Sequence, residues 1–166
     1  IALRAAITGH LVLSTLHTND ALSTPFRLLD MGSPAFMVAS SLQAVVAQRL
    51  VRANCEQCRE PHPLNAQETA WMIATGGDEA AQEKTLRGRG CSACNGTGYT
   101  GRMGVYEMLE MDSALAAAAT HGDPTAFSRL AREQMRGHTM AHHALELVRA
   151  GRTSVAEAMR LATDID

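Results

Sequence analysis

The sequence predicts an α/β fold that carries a small four-cysteine module and ends in a helical tail. Leu11-Val12-Leu13 is apolar on consecutive positions, which is typical of a strand covered on both faces in a parallel sheet. Two C-x-x-C pairs lie in the middle of the chain, and caps and helix-ending glycines recur after them. The domains predicted from this order are an α/β part at 1–54, the cysteine module at 55–98, and a return strand with a helical subdomain at 99–166.

Composition limits the class of protein. The chain has 166 residues, of which 46% are apolar, enough for one good core or two small ones. The net charge of −2, from 15 basic and 17 acidic residues, argues against a nucleic-acid surface. No stretch approaches the roughly 18 uninterrupted apolar residues of a membrane span, and we expect no signal peptide. The sequence therefore predicts a cytoplasmic protein that does not bind nucleic acid and has no direct membrane span.

The first part of the chain predicts half of an α/β core. Residues 1–7 predict a helix that Gly9 ends, and because the chain starts inside this helix we expect it to be a piece of a longer protein. The strand at Leu11-Val12-Leu13 follows and is predicted to be central. The elements predicted after it are a helix capped by Asp20 and ending at Gly32, a helix from Ser33-Pro34 through Ala47, and extended chain over 48–51.

The last third of the chain predicts a strand and then short helices. MGVYEML, at 103–109, is predicted to be a strand that leads back to the sheet. Gly137 is expected to end one helix of the tail. Helix starts are predicted where a polar cap precedes an apolar run, at Asp112-Ser113, Asp123-Pro124, Thr139 and the capping box Ser154–Glu157.

Two histidines flank the predicted opening strand. In open α/β sheets, ligands bind beyond the carboxyl ends of the strands. The sequence therefore predicts a functional site near Thr15, His17, Thr18 and Asn19. His10 lies at the other, N-terminal end of the strand. The two histidines are an odd number of positions apart, so a straight strand directs them to opposite faces. An imidazole can donate a hydrogen bond to a terminal phosphate oxygen, which would give His17 a phosphate-sensing role. The alternative for both is a histidine bonded to backbone at a strand end.

The cysteines predict a metal site. Cys55 and Cys58 form one C-x-x-C knuckle, and Cys91 and Cys94 form a second. Two such knuckles are the usual way to bring four thiolates around a tetrahedral Zn²⁺, at about 2.3 Å each. Redox-active pairs are the alternative, but two matched knuckles that close one loop are better explained by coordination. The chain between the knuckles is predicted to be an excursion with a helix of its own.

Three segments resemble the type II secretion and type IV pilus assembly ATPases. They are TGHLVLSTLHTNDA at 8–21, QRLVR at 48–52 before the first knuckle, and GCSACNGTGYTGRMGVYE at 90–107. The resemblance runs nearly end to end, because the tail matches as well, with GHTM at 137–140 and GRTSVAE at 151–157. It implies the C-terminal half of a RecA-like P-loop ATPase core, a small tetracysteine zinc module and a C-terminal helical subdomain.

The resemblance also implies roles for single residues. His10 and His17 match the family's histidine box, in which the second histidine approaches the terminal phosphate, and both are expected to be catalytic. Arg102 and Glu107 are expected to be structural. The expected nucleotide-binding residues are Thr15, Thr18, Asn19 and Arg49. The sequence contains no G-x-x-x-x-G-K-[ST], so the main residues that bind ATP and Mg²⁺ are expected upstream and this chain alone is expected to be inactive.

At the level of the whole protein, the resemblance implies a homohexameric cytoplasmic ATPase that drives pilin or pseudopilin assembly. It is expected to be peripheral to the inner membrane through a platform protein and other components of the assembly system. One alternative is a zinc-dependent protein-interaction or chaperone-like module, because CSACNGTG at 91–98 matches the repeat of the DnaJ-type chaperone domain, although the first knuckle lacks the glycines. Another is a retraction motor of the same superfamily, which generally lacks the cysteines.

Overall fold

The computed structural model describes residues 1–163 and confirms the α/β class. The helices and strands in this range are α1 Ala2–Ile7, α2 Thr24–Asp30, α3 Ala35–Ser41, β1 Ala44–Asn54, β2 Arg59–His62, α4 Ala66–Gly76, β3 Thr85–Gly88, β4 Tyr99–Glu110, α5 Ser113–His121, α6 Pro124–Gln134, α7 Met140–Arg149 and α8 Val155–Thr163. Over the same range, no helix combines the length and the apolar character needed to cross a bilayer.

The strands form two two-stranded sheets, β1 with β4 and β2 with β3. At one end of the first sheet the Met111 amide donates to the Gln43 carbonyl, at 2.8 Å, and at the other the Cys55 amide donates to the Gly98 carbonyl, at 2.9 Å. The two ends therefore pair in an antiparallel sense. In the second sheet, β2 and β3 are also antiparallel, with Arg59 opposite Gly88.

The chain groups into two compact units. The first unit contains residues 1–47 and 107–137, and the second contains residues 48–106 and 138 onward. The strands β1 and β4 each contribute residues to both units. The division predicted at residues 54 and 98 stays a prediction.

In the first unit, helices surround an apolar core. The helix α3 packs against α1, α2 and α5, and α5 packs against α6. Val38 and Leu115 are fully buried, on α3 and α5 respectively. Phe127 of α6 is also fully buried and meets Phe26 of α2 edge to face, with ring centroids 5.1 Å apart.

In the second unit, α4 packs against α7 and α8. Asn65 caps α4 by accepting from the Glu68 amide, while the Glu68 carboxylate accepts from the Asn65 amide, which completes a capping box. The core between these helices contains the buried Met72, Val148 and Val155. The helix predicted inside the excursion between the knuckles is therefore confirmed.

The predicted strand at Leu11-Val12-Leu13 is wrong for this structure. Residues 10–18 have no strand pairing within the described chain, and Leu11 and Leu13 are each 87% exposed. A strand exists only where a neighbouring strand satisfies its amides and carbonyls, and an apolar run does not by itself supply that neighbour. Residues 10–17 are instead exposed and have no regular secondary structure.

Two helix boundaries also differ from the prediction. The Asp20 carboxylate accepts from the Ser23 amide at 2.7 Å and closes a turn, so α2 begins at Thr24 instead of directly after Asp20. The helix α3 ends at Ser41, and β1 begins at Ala44. The last positions of the apolar spacing that predicted helix through Ala47 belong instead to β1, a strand with one buried face.

The helices predicted for the tail are present as α5 to α8. The carboxylates of Asp112 and Asp123 cap α5 and α6 by accepting from amides three residues ahead, at 2.8 and 2.9 Å. Thr139 caps α7 in the same way. Gly137, with a φ of +80°, follows α6 and allows the turn that leads to α7.

Candidate functional site

The four cysteine sulfurs converge within the second unit. All four lie within 4.8 Å of one another. The separations are 3.9 Å from Cys55 to Cys91, 3.9 Å from Cys58 to Cys94, and 3.8 Å from Cys91 to Cys94. In a tetrahedral site with metal–sulfur bonds of about 2.3 Å, ligand sulfurs lie about 3.8 Å apart. A disulfide needs about 2.05 Å, and all four thiols are free. The spacing therefore fits a tetrahedral cation site.

Backbone contacts hold the two knuckles together. The Cys55 amide donates to the Gly98 carbonyl at 2.9 Å, and the Arg89 amide donates to the Cys58 carbonyl at 3.1 Å. The excursion leaves the first knuckle as β2 and returns to the second as β3, so pairing of these strands closes the loop. The backbones of Gly88 and Gly98 touch so closely that a Cβ on either would overlap the other's carbonyl group. Glycine at both positions is therefore required for the knuckles to meet.

The thiols have unequal environments. The amides of Cys91 and Gly98 donate to the Cys94 sulfur, each at 3.2 Å, and these bonds, that of Cys91 foremost, lower the pKa of Cys94 to about 6. The Thr100 hydroxyl lowers the pKa of Cys55, whereas burial raises the pKa of Cys58 to about 12. Four thiolates at this spacing repel one another, so a divalent cation is what allows all four to ionise together.

His10 and His17 both lie exposed in the first unit. His10 Nδ1 shares a hydrogen bond of 3.2 Å with Thr8 Oγ1. Within residues 1–163, no hydrogen bond or ion pair holds the His17 ring, and Thr15 is exposed beside it. The predicted strand that was to present these side chains is absent here, so their catalytic and nucleotide-binding roles stay predictions.

The chain just after His17 is ordered by a turn. Thr18 and Thr24 share a hydrogen bond between their hydroxyls, at 2.9 Å. At the middle of this turn, the Ala21 amide donates to the Glu107 carboxylate at 2.8 Å, and both residues are buried. The sequence predicted a structural role for Glu107 but not its partner. The sequence feature that could have revealed this role is an acidic residue among apolar neighbours, at an inward position of a predicted strand.

Arg49 belongs to the second unit, where it lies half-buried on β1. Its predicted role at a nucleotide or subunit interface stays a prediction. Asn19, in the first unit, is exposed.

The tail motif GRTSVAE forms a cluster of contacts that the sequence did not predict. The Glu157 carboxylate accepts from the guanidinium and the amide of Arg52, at 2.5 and 3.1 Å. The Thr153 hydroxyl donates to the Arg52 carbonyl, and the Ser154 hydroxyl bonds the Tyr99 hydroxyl at 2.7 Å. The Arg52 guanidinium lies 4.2 Å from the centre of the Tyr99 ring. The motif therefore joins the start of α8 to β1 and β4 within the second unit.

Glu157 is expected to stabilise the second unit in a pH-dependent way. Burial opposes ionisation of its carboxyl, but the hydrogen bonds and charge of Arg52 outweigh burial and lower the pKa of Glu157 below its ordinary value. A carboxyl with a lowered folded-state pKa stabilises the fold above its unfolded pKa, and this contribution is lost as the pH falls through the folded value. We expect Glu157→Gln in the full-length protein to lower the free energy of unfolding by about 1–2 kcal/mol at pH 7.

The measurement is denaturant unfolding at pH 7 and at pH 3.5, with hydrogen exchange of residues 151–161 to locate the loss. The difference from wild type should shrink at the lower pH. The matched control is Glu133→Gln, which removes an exposed pair with Arg129 on α6 and should change stability by less than about 0.5 kcal/mol. Equal losses of stability from Glu157→Gln and Glu133→Gln would contradict the stabilising role of Glu157.

Comparison with known proteins identifies the family. The family described as Type II/IV secretion system protein matches residues 1–160. The chain belongs to this family. The match covers the segment with the two histidines, both cysteine knuckles and most of the helical tail, so the resemblance predicted from the sequence is confirmed.

Relatives within the secretion-system family cover the same region. Type II secretion system protein E of Aeromonas hydrophila is 41% identical over 167 residues, which is 99% of this chain and 32% of the relative. Type II secretion system ATPase E of Vibrio cholerae serotype O1 is 38% identical over 172 residues, again 99% of this chain and 32% of the relative. The chain thus spans about a third of the length of these curated relatives.

A solved structure shares the fold. The crystal structure of the pilus retraction motor PilT with bound ADP matches with a TM-score of 0.59 and 23% sequence identity. The match covers 96% of this chain and 34% of the PilT chain. This likeness supports the α/β assignment for the secretion-system chain.

Proposed function

We propose that this chain is the C-terminal part of the motor domain of an ATPase that powers pilin or pseudopilin assembly. The observation that carries the proposal is the family match over 1–160, which includes the histidine segment and both knuckles. The name of the Vibrio cholerae relative, a type II secretion system ATPase, supports hydrolysis of ATP as the reaction. The chaperone-like alternative rested on residues 91–98 alone and explains none of the remaining matched segments.

Zn²⁺ is the cation that we propose for the cysteine site. Four thiolates select a soft or borderline cation, and a closed set of four sulfurs is typical of structural zinc. The amides of Cys91 and Gly98 that donate to the Cys94 sulfur supply the outer-shell contacts usual at such sites. With all four positions filled by protein, the metal would stabilise the module and would not bind substrate.

His17 is proposed to sense the terminal phosphate of ATP, with His10 as its partner in the histidine box. Thr15, Thr18, Asn19 and Arg49 are proposed to contribute to nucleotide binding. The main residues for ATP and Mg²⁺ are proposed to lie in the two thirds of the relatives that this chain does not cover. The exposed Leu11, Val12, Leu13 and Leu16 support this division, because a sheet contributed by the rest of the protein would cover these apolar side chains.

Family membership also supports a proposal for assembly and location. We propose a homohexamer in the cytoplasm that associates with the inner membrane through a platform protein and other assembly components. The zinc module is a suitable contact surface, because a groove of about 470 Å³ lies beside the first knuckle, with Glu56, Arg59 and Arg152 among its lining residues. The proposed parts of the chain remain the core half at 1–54, the zinc module at 55–98 and the helical subdomain from 99.

The test compares the full-length protein with this chain alone. We expect the full-length hexamer to hydrolyse ATP and residues 1–166 to show no turnover and no binding of a non-hydrolysable ATP analogue. The physical reason is that the backbone cradle and lysine of a phosphate-binding loop are missing from the sequence. The control is full-length protein with the phosphate-loop lysine replaced by alanine. ATP turnover by the chain alone, or a full-length hexamer that binds unfolded polypeptide without hydrolysing ATP, would refute the proposal.

A further inference from the structure

We propose that Glu107 is a positioning residue for His17. The buried carboxylate on β4 would anchor the turn that follows the histidine and so set where the imidazole lies during ATP hydrolysis. This inference rests on the proposed role of His17, and the experiment below separates the two.

The anchor includes a hydrogen bond between distant parts of the first unit. Glu107 is 8% exposed, Ala21 is fully buried, and the Ala21 amide donates to Glu107 Oε1 at 2.8 Å across 86 residues of sequence. A hydrogen bond from a backbone amide to a carboxylate is charge-assisted and therefore stronger than one between neutral groups. The contact ties the chain after His17 to the middle of a strand.

The turn connects this anchor to the histidine. The Asp20 carboxylate accepts from the Ser23 amide at 2.7 Å, and the Thr24 hydroxyl donates to the Asp20 carbonyl at 3.2 Å. The Thr18 hydroxyl bonds that of Thr24, so residues 18–24 form one closed turn. The hydrogen bond from Ala21 to Glu107 lies at the centre of this turn. His17 directly precedes this turn.

On its other side, His17 has little to hold it. Residues 11–17 are exposed, and within the described chain the His17 ring has no hydrogen bond or ion pair of its own. The closed turn is therefore the nearest fixed structure, and the Glu107 carboxylate joins the middle of that turn to β4. Without an acceptor the buried Ala21 amide must move toward water, and the turn must move with it.

The experiment replaces the carboxylate in the full-length protein. Glu107→Met keeps the volume but removes the acceptor, whereas Glu107→Gln keeps an oxygen that can accept from the Ala21 amide. A displacement of about 1 Å in a reacting group can cost about 10²-fold in rate. We expect Glu107→Met to lower kcat by about 10- to 100-fold, with affinity for a non-hydrolysable ATP analogue nearly unchanged, and Glu107→Gln to retain most of the turnover.

The matched control is Glu110→Met, which removes an exposed carboxylate from the same strand and should leave turnover and affinity unchanged. Hydrogen exchange provides a readout that does not depend on catalysis: the amides of residues 18–24 should exchange faster in Glu107→Met and not in Glu107→Gln. In a His17→Ala background, Glu107→Met should cause no further loss of turnover, because both changes act through the same group.

Three results would overturn the inference. Unchanged exchange at 18–24 in Glu107→Met would show that the carboxylate does not anchor the turn. A further loss of turnover on adding Glu107→Met to His17→Ala, equal to its loss in wild type, would show that Glu107 acts independently of the histidine. Full turnover in His17→Ala alone would refute the proposed function of His17, and with it any positioning role, while the exchange data would still decide whether the anchor exists.

Discussion

Replacement of Cys91 by serine is expected to unfold the cysteine module and to abolish zinc binding, while the first unit stays folded. Metal binding at such sites is coupled to folding, with apparent free energies of roughly 10–16 kcal/mol in small zinc peptides. The Cys91 sulfur lies 3.9 Å from that of Cys55 and 3.8 Å from that of Cys94, so its loss opens one corner of the proposed tetrahedron. The unfolding should be confined mainly to residues 55–98.

The measurement is elemental analysis of full-length protein purified without added metal, together with hydrogen exchange along the chain. We expect one zinc per chain in wild type, and in Cys91→Ser a loss of zinc with fast exchange across 55–98. The matched control is Ser92→Ala, an exposed change in the same turn that should keep the metal. Wild-type protein with four titratable thiols and no zinc, or with a Cys55–Cys58 disulfide under cytosolic redox conditions, would contradict the zinc assignment.

Replacement of His17 by alanine in the full-length protein is expected to remove most ATPase activity. A donor that senses phosphate stabilises charge that develops in the transition state, and loss of one such donor in a well-studied protease costs about 10²–10³ in rate. Nucleotide binding should be nearly unchanged, because it would depend on the upstream phosphate loop. His10→Ala should be milder, since His10 shares a local hydrogen bond with Thr8 and the His17 ring has no such contact within residues 1–163.

The assay measures turnover alongside affinity for a non-hydrolysable ATP analogue. His121→Ala is the control, because within residues 1–163 the ring of this exposed histidine at the end of α5 bonds only inside its own helix, to the Ala117 carbonyl. An unchanged turnover number would favour the alternative, in which His17 is a structural histidine. Loss of binding in proportion to turnover would mean that His17 holds the nucleotide without sensing its hydrolysis. Equal losses from His10→Ala and His17→Ala would support a paired action of the histidine box.

The features that could be predicted are those whose determinants lie close together in sequence. Helix caps act on amides two or three residues away, so Asp112, Asp123 and Thr139 mark the starts of α5, α6 and α7 without reference to the rest of the chain. The C-x-x-C knuckles are local for the same reason, and their number and separation were enough to predict that the four sulfurs meet. The Asn65 capping box is equally local and could have been predicted.

Strands were predicted less well because their partners are distant. The apolar run at 11–13 indicated burial, yet nothing in it specifies a neighbour, and in this structure it is unpaired and exposed. In contrast, β2 and β3 carry no alternating apolar pattern and were missed. They pair only where the fold brings the two ends of the excursion together, and neither segment alone specifies the other.

The sequence by itself determined the α/β class, the family, the cysteine site and the helices of the tail, because each follows from short-range spacing or from motifs in order. Tertiary structure alone decided the partners of two buried carboxylates, Glu107 and Glu157. Glu107 meets Ala21 across 86 residues, and Glu157 meets Arg52 across 105. A buried carboxylate needs a hydrogen-bond donor somewhere in the fold. Which donor it meets depends on how strands and helices bring distant segments together. No local sequence pattern specifies that partner.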